Sequence, residues 1–285
     1  MSDESPLPTY HDATKGENHP EHGDEKKGYD EKKEHKDEKK EYVDEKQQAP
    51  GDDILFPPSL VAILSEPTLV IERQLQVFQA VFGVEQAKKF KIMNSHGQQL
   101  GWMVEKTSFG KTVVRQLTGT NRPFEIQILN MDNEVLLDVK RAYVLVNSHI
   151  IVRMPRRDAH GNISYDEVGR SDQVFNVLKR KYNLSVKHGG QFQEFGRIKA
   201  RTLGVTFPVV NSNSQVIAGV DRSWVGLYRE VFAQTPVYVV RFDIGLFGDE
   251  IAKLYHPPGP PLNLAQRAVM LGCAVSIDLD YFTRE

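Results

Sequence analysis

The sequence carries few residues that could perform covalent chemistry or hold a metal. Its one cysteine is Cys273, so neither an intrachain disulfide nor a cysteine-based zinc site is expected. No phosphate-binding glycine loop and no nucleophile elbow is present. Five histidines lie beyond the N-terminal tail, and none has a partner at metal-ligand spacing: His96, His149, His160, His188 and His256. We therefore expect no enzyme and no metal site, with a hydrolase built from distant residues as the weaker alternative.

Basic residues form clusters whose chemistry suits an anionic surface. The cluster members are Arg153, Arg156 and Arg157, followed by Lys179, Arg180 and Lys181. Each Lys or Arg held near an anionic membrane contributes about 1 kcal/mol to binding. If the clusters share one face of the fold, they would dock it on acidic lipid. The alternative is that they are ordinary solvated strand ends and loops.

A short motif near the N-terminus is typical of a peptide ligand. Leu7, Pro8 and Tyr10 fit the Leu-Pro-x-Tyr pattern that WW domains bind, because these domains favour extended Pro-containing segments. A WW-domain protein is therefore a candidate partner, and a chance match of four residues is the alternative. We expect no nucleic-acid partner.

Charge divides the chain into two regions. Residues 1–50 contain 15 acidic residues and 9 lysines, a net charge of −6, whereas the rest of the chain has a net charge of +4. The first region has few apolar side chains, so it cannot bury enough surface to offset the entropy lost on ordering. We predict that residues 1–53 form a disordered charged tail and that residues 54–285 form one folded domain.

The folded region is dominated by strand and turn signals. Residues 90–93 and 100–104 flank a turn at residues 94–97, where a glycine supplies positive φ. Similar hairpins are predicted around the turns at residues 132–133 and 211–213. Repeated hairpins without long intervening helices predict an antiparallel sandwich or closed barrel.

One segment near the C-terminus is apolar around nearly its whole circumference. Its uncharged stretch between Arg267 and Asp278 contains ten residues, which is about 15 Å of helix. The hydrocarbon core of a bilayer is about 30 Å thick and needs about 20 residues. The pattern therefore predicts a helix buried inside the domain. A membrane anchor that includes the flanking charges is the alternative.

Four blocks of sequence follow one another between residues 60 and 285. They read IERQ at 71–74 with FGVEQA at 82–87 and FKI at 90–92; GTNRPF at 119–124 with IQILN at 126–130; RSW at 222–224 with YREVF at 228–232; and RAVMLGCAVSIDLDYF at 267–282. Together the blocks resemble the phospholipid scramblase family, in particular its fungal members. The resemblance implies a tubby-like fold: a twelve-stranded antiparallel closed barrel around a buried hydrophobic C-terminal helix. In that fold Trp224, Phe124 and Val269 would be core residues.

The function that this resemblance implies requires no covalent chemistry. Scramblases move phospholipids in both directions between the two leaflets of a membrane without ATP. The alternative is a tubby-like adaptor that binds a membrane, a phosphoinositide or a protein and moves no lipid. The implied location is the cytoplasmic face of a membrane, with the plasma membrane as first choice and mitochondria as the alternative.

The chain departs from animal scramblases in two places. Their calcium loop is rich in Asp, whereas the matching residues 233–237 read AQTPV and contain no carboxylate. Because calcium prefers several hard oxygen ligands, we expect no calcium cofactor. Their multi-cysteine palmitoylation cluster also has no counterpart. Since stable anchoring usually needs two membrane signals, we expect peripheral membrane binding.

Overall fold

The computed structural model describes most of the chain beyond the N-terminal tail. The described residues are 51, 53–74, 89–106, 123–142, 147–174, 179–201, 206–222, 237–244 and 258–281. The predicted disordered tail, with Leu7, Pro8 and Tyr10, lies outside the described residues apart from its last few positions. Trp224 and most of the segment that matches the calcium loop lie outside them as well.

The described residues form twelve strands and two helices. In chain order they are α1 (Pro58–Ser65), β1 (Thr68–Gln74), β2 (Lys89–Met93), β3 (Gln99–Glu105), β4 (Phe124–Leu129), β5 (Val135–Arg141), β6 (His149–Arg157), β7 (Ile163–Val174), β8 (Lys179–His188), β9 (Gln191–Arg201), β10 (Thr206–Val210), β11 (Val216–Asp221), β12 (Val237–Arg241) and α2 (Leu264–Tyr281). Each strand pairs antiparallel with its sequence neighbours, and β1 pairs with β12. The predicted closed twelve-stranded antiparallel barrel is therefore confirmed.

Four hairpin loops at one end of the barrel share one local geometry. The side-chain oxygen of the first loop residue accepts the backbone N–H groups two and four residues later. The residue three positions after it has a positive φ, between 61° and 85°. Asn and Asp favour such turns because their short side chains bond to the nearby backbone. The first loop residues are Asn94, Asn130, Asp158 and Asn211. The three predicted hairpins are among these four and are confirmed.

Helix α2 fills the inside of the barrel. It begins with a capping box, in which Gln266 N donates to Asn263 Oδ1 and Asn263 N donates to Gln266 Oε1, so two otherwise unpaired backbone donors are satisfied. Residues 268–277 are all buried, and the helix contacts β6, β7, β8, β12 and α1. The predicted buried helix is confirmed. Phe124 and Val269, which are at most 1% exposed, belong to this core as expected.

Two glycines allow the helix and the barrel wall to approach closely. A Cβ at Gly272 of α2 would lie 2.6 Å from Val152 Cγ2, and one at Gly169 of β7 would lie 2.4 Å from Val269 Cγ2. Both distances are far below van der Waals contact. The packing of α2 against β6 and β7 therefore depends on the absence of a side chain at these two positions.

The single cysteine provides a direct test of the enclosed helix. Burial raises the pKa of the Cys273 thiol to about 12, and the thiolate is the reactive form. We expect the native protein to resist labelling by a maleimide at neutral pH and to react completely in guanidinium chloride. An Ala62→Cys variant, which adds a thiol on the exposed side of α1, should take up one label in the native state. Rapid native labelling of Cys273 in the unmodified chain would contradict the enclosed helix.

Candidate functional site

The six basic residues predicted to bind lipid lie on β6 and β8, beside opposite ends of the long strand β7 between them. Arg157 is paired with Ile163 at the beginning of β7, and Lys181 is paired with Val174 at its end. These two β7 positions are eleven residues apart, which corresponds to about 36 Å of strand. The structure therefore divides the predicted set into an arginine group at the barrel end where α2 begins and a lysine group at the other end.

The arginine group is largely neutralised by carboxylates. Arg153 Nε donates to Asp138 Oδ2 at 2.9 Å, and its Nη2 donates to the same oxygen. Arg156 Nε lies 2.7 Å from Asp166 Oδ2. Arg157 is exposed and forms no ion pair with the described residues. Only one of the three arginines therefore has its full charge available for an anionic surface.

Asp138 is the buried partner that holds the arginine group in place. Its side chain is 0% exposed. Burial raises the pKa of this carboxyl, Arg153 opposes the rise, and the neighbouring charge of Glu125 adds to it. A buried carboxylate is tolerated when it is paired and hydrogen-bonded. Two donor groups of Arg153, Nε and Nη2, are therefore committed to Asp138.

The lysine group contains one inward-facing and two outward-facing residues. Arg180 is 8% exposed, and its guanidinium carbon lies 5.6 Å from the ring centroid of Phe207. Lys179 is exposed and Lys181 is partly exposed. Successive side chains of a strand point to opposite faces, and these two point outwards from β8. An outer lipid surface can therefore use Lys179 and Lys181, whereas Arg180 is turned towards the barrel interior.

Strand β9 adds a basic residue that sequence proximity could not reveal. Lys199 is paired directly with Lys181 across the β8–β9 ladder, and both face outwards. We call Lys179, Lys181 and Lys199 the basic strip. Within the described part of the chain, none of the three forms an ion pair with a carboxylate. Val174, which is 38% exposed, lies beside Lys181 on β7.

The basic strip is electrostatically unfavourable in the isolated protein. Like charges directly opposite each other on neighbouring strands destabilise the pair. Arg197 on the same wall differs, because its Nε is paired with Glu194. An anionic surface would relieve the repulsion between Lys181 and Lys199. The strip, which joins the predicted Lys179 and Lys181 with the unpredicted Lys199, is therefore better suited to bind such a surface than the arginine group.

A buried polar cluster fixes the C-terminal end of α2 near the same barrel end. Arg141 Nη1 donates to Asp280 Oδ1, and the Tyr182 hydroxyl donates to Asp280 Oδ2 at 2.9 Å. Ser276 donates to Oδ2 at 3.3 Å. Acidic residues are unfavourable at a helix C-terminus because of the helix dipole. The barrel wall compensates by supplying a buried cation and a hydroxyl.

Asp278, a second carboxylate in the last turn of α2, affects the pKa of neighbouring groups. Asp278 is 8% exposed. Burial raises the pKa of Tyr238 well above its usual value, and the charge of Asp278 adds to the rise. Burial lowers the pKa of Arg222, and Asp278 opposes that shift. Burial is the largest cause of both shifts, so Tyr238 and Arg222 are partly or fully shielded from water near Asp278.

Other kinds of site are not found in the described residues. They contain no group of three or more His, Cys, Asp or Glu side chains that could hold a metal ion. Among the described helices, none has the length and apolar composition needed to cross a membrane. Residues 233–236 of the segment that matches the calcium loop are outside the described residues, so the expectation of no calcium stays a prediction.

Removing one partner of the buried cluster should be costly. In Asp280→Asn the guanidinium of Arg141, which is 0% exposed, loses the negative charge that Asp280 supplies. We expect a loss of about 3–5 kcal/mol in the free energy of unfolding, as is usual when one half of a buried pair is removed. Urea unfolding followed by circular dichroism measures this change. Tyr182→Phe, which removes one hydrogen bond, should cost only about 1 kcal/mol. Equal costs for the two variants would contradict the dominant role of the ion pair.

Sequence comparisons identify relatives over most of the chain. The family model named Scramblase matches residues 50–284. Altered inheritance rate of mitochondria protein 25 of Saccharomyces cerevisiae is 37% identical over 80% of this chain and 74% of its own length. A phospholipid scramblase family protein of Schizosaccharomyces pombe is 30% identical over 78% of this chain and 61% of its own length. Human phospholipid scramblase 2 is 20% identical over 83% of this chain and 74% of its own length. No solved structure matches the chain significantly.

Proposed function

The chain belongs to the Scramblase family, and we propose that it binds the surface of phospholipid membranes and moves phospholipids between leaflets in both directions without ATP. The family indicates lipid translocation rather than catalysis. The observation that supports membrane binding is the basic strip, whose three lysines have no carboxylate partner in the described part of the chain. Anionic headgroups would supply the missing counter-charge.

The filled barrel constrains any mechanism of lipid movement. Residues 268–277 occupy the barrel interior, and interiors packed at crystal-like density leave no passage for a headgroup. A transported headgroup would therefore follow the outer wall of the protein. The protein would lower the barrier by offering polar and charged groups to a headgroup that otherwise enters hydrocarbon unsolvated.

The same observation favours a second candidate function. A barrel whose interior is occupied resembles a rigid binding module more than a conduit. In this alternative the chain is a tubby-like adaptor that docks on a membrane, a phosphoinositide or a protein and moves no lipid. The two functions share the basic strip and differ only in transport.

The location and partners are part of the proposal. We propose association with the cytoplasmic face of a membrane. The name of the Saccharomyces cerevisiae relative refers to mitochondria, so a mitochondrial membrane stands beside the plasma membrane as a candidate. The absence of a cofactor stays part of the proposal. The WW-domain partner of Leu7, Pro8 and Tyr10 stays a prediction, which a pulldown with and without Tyr10→Ala would test.

Neutralising the strip should weaken membrane binding. In the double variant Lys181→Gln/Lys199→Gln we expect affinity for vesicles containing phosphatidylserine to fall about 30-fold, since each lysine contributes about 1 kcal/mol. Vesicle flotation measures the change. The matched control is Lys91→Gln/Lys140→Gln, which alters net charge equally but on strands β2 and β5. An equal loss in both variants would show that net charge, and not the strip, governs binding.

Transport separates the two candidate functions. The protein is reconstituted into vesicles that contain a fluorescent phospholipid, and dithionite is added without ATP. We expect quenching to proceed beyond the outer-leaflet fraction, because lipids from the inner leaflet reach the outside. Vesicles carrying the Lys181→Gln/Lys199→Gln variant serve as the control. Quenching that stops at the outer-leaflet fraction, with binding intact, would leave only the adaptor function.

A further inference from the structure

A cleft of about 440 Å³ lies on the outer wall of β6, β7 and β8, at the barrel end where α2 begins. This volume is within the range of small-molecule sites. No residue of the basic strip lines the cleft. Its lining includes two cations, three carboxylates and one aromatic ring: Arg153, Lys187, Asp53, Asp166, Glu167 and Tyr165.

Both cations are held in place and retain hydrogen-bond donors. Arg153 donates hydrogen bonds from Nε and Nη2 to Asp138. The Nη1 group of Arg153 has no acceptor among the described residues. Its guanidinium carbon lies 4.5 Å from the ring centroid of Tyr165. Lys187 Nζ lies 2.6 Å from Glu167 Oε2, and an ammonium has three donors. An anionic group entering the cleft would therefore find preorganised donors on two sides.

Two further carboxylates on the cleft are partly exposed. Asp53 is 47% exposed and lies 3.2 Å from His188 Nδ1. Asp166 is 45% exposed and is paired with Arg156. Carboxylates outnumber cations in the lining, so a simple anion would meet net negative charge. A simple cation would leave the donors of Arg153 and Lys187 unused. A ligand that carries both signs satisfies both halves of the lining.

The tip of the β8–β9 hairpin leaves one side of the cleft open. Gly189 and Gly190 have φ values of 55° and 80°, which suit a tight two-residue turn. A Cβ at either position would meet no heavy atom within 4 Å. The turn therefore borders the cleft without covering it, and a ligand attached to a larger body could enter from this side.

We propose that this cleft binds a phosphate ester of an amino alcohol, in which a phosphate and an ammonium or trimethylammonium group are a few ångströms apart. The phosphate accepts hydrogen bonds from Arg153 Nη1 and Lys187 Nζ. The amine lies near the carboxylates of Asp53 and Asp166. This chemistry occurs in free phosphate esters of amino alcohols and in zwitterionic phospholipid headgroups. Only a lipid source rests on the proposed function.

Calorimetric titration of the full chain with glycerophosphocholine, glycerol phosphate and choline tests the proposal. We expect the zwitterion to bind at least about tenfold more tightly than either half, which corresponds to about 1.4 kcal/mol. Equal affinity for glycerophosphocholine and glycerol phosphate, or no binding of glycerophosphocholine up to about 20 mM, would overturn it.

Variants of two partly exposed residues, Lys187 and Asp53, test which half of the cleft binds which part of the ligand. Lys187→Gln should weaken glycerophosphocholine binding about tenfold and abolish its advantage over choline. Asp53→Asn should abolish its advantage over glycerol phosphate. Lys181→Gln, on the same strand but outside the cleft, is the matched control and should change neither. Thermal unfolding midpoints equal to that of the unmodified chain establish that the variants are folded. If neither Lys187→Gln nor Asp53→Asn alters selectivity, the assignment is wrong.

The source of the ligand is distinguished by a short-chain phosphatidylcholine below its micelle-forming concentration. If this lipid binds at least about tenfold more tightly than glycerophosphocholine, the ligand is a lipid. If the two bind equally, the ligand is a soluble phosphate ester of an amino alcohol. Vesicle flotation of the same protein separates this proposal from the proposed function. If the protein binds glycerophosphocholine but not vesicles, only the proposed membrane association is refuted. If it binds vesicles but not glycerophosphocholine, only the proposed cleft ligand is refuted.

Discussion

The enclosure of α2 by the barrel is the constraint on which the other features depend. A twelve-stranded barrel is wide enough that side chains from the wall alone do not fill it, and α2 supplies the missing volume. Residues 268–277 are all buried, and α2 packs against β6, β7, β8, β12 and α1. The helix ends are fixed by polar contacts, with Arg267 donating to the carbonyl oxygen of Leu64 in α1 and Asp280 held by Arg141. Sliding the helix along the barrel axis would break both ends at once.

Because the interior is occupied, ligand chemistry is confined to the outer wall and the barrel ends. The wall is not uniform in charge. At the end where α2 begins, Arg153 and Lys187 are balanced by carboxylates. Near the other end, Lys181 and Lys199 lie directly opposite each other on the neighbouring strands β8 and β9. The same fold therefore presents one surface that favours net negative partners and another that favours partners of mixed charge.

Local turn chemistry made three hairpins predictable from the sequence, whereas the closure of twelve strands into a barrel was implied only by the family resemblance. The Asn residues that begin the loops, with Gly97 as the left-handed residue of the first loop, determine hairpins through contacts within five residues. The apolar run of α2 was equally clear, since no partner is needed to see that it is apolar on all sides. Helix α1 was not predicted, although Pro58 lies at its beginning and proline suits the first turn of a helix.

Long-range pairing was the part that the sequence did not reveal. Strands β7 to β9 carry many polar residues on their outer face, and bulges near Val152 and Leu184 shift the register, so their alternation was obscured. A common face for the six basic residues was only the condition of the lipid-docking hypothesis, because proximity in sequence does not establish it. Strand pairing instead separated Arg157 from Lys181. It also brought in Lys199, which is eighteen residues beyond Lys181 and is its direct neighbour across the ladder.

The positions of the basic strip and the cleft on one strand allow them to act together. Lys181 and Lys187 both occupy outward positions of β8 and are six residues apart, which is about 20 Å of strand. Electrostatic attraction by the strip extends about 8 Å at physiological ionic strength, so it acts only once the wall is close to a membrane. A protein docked by this wall would bring the open side of the cleft at Gly190 towards the headgroup layer. The strip would then provide a general attraction to anionic surfaces, while the cleft would select individual headgroups by the arrangement of their charges.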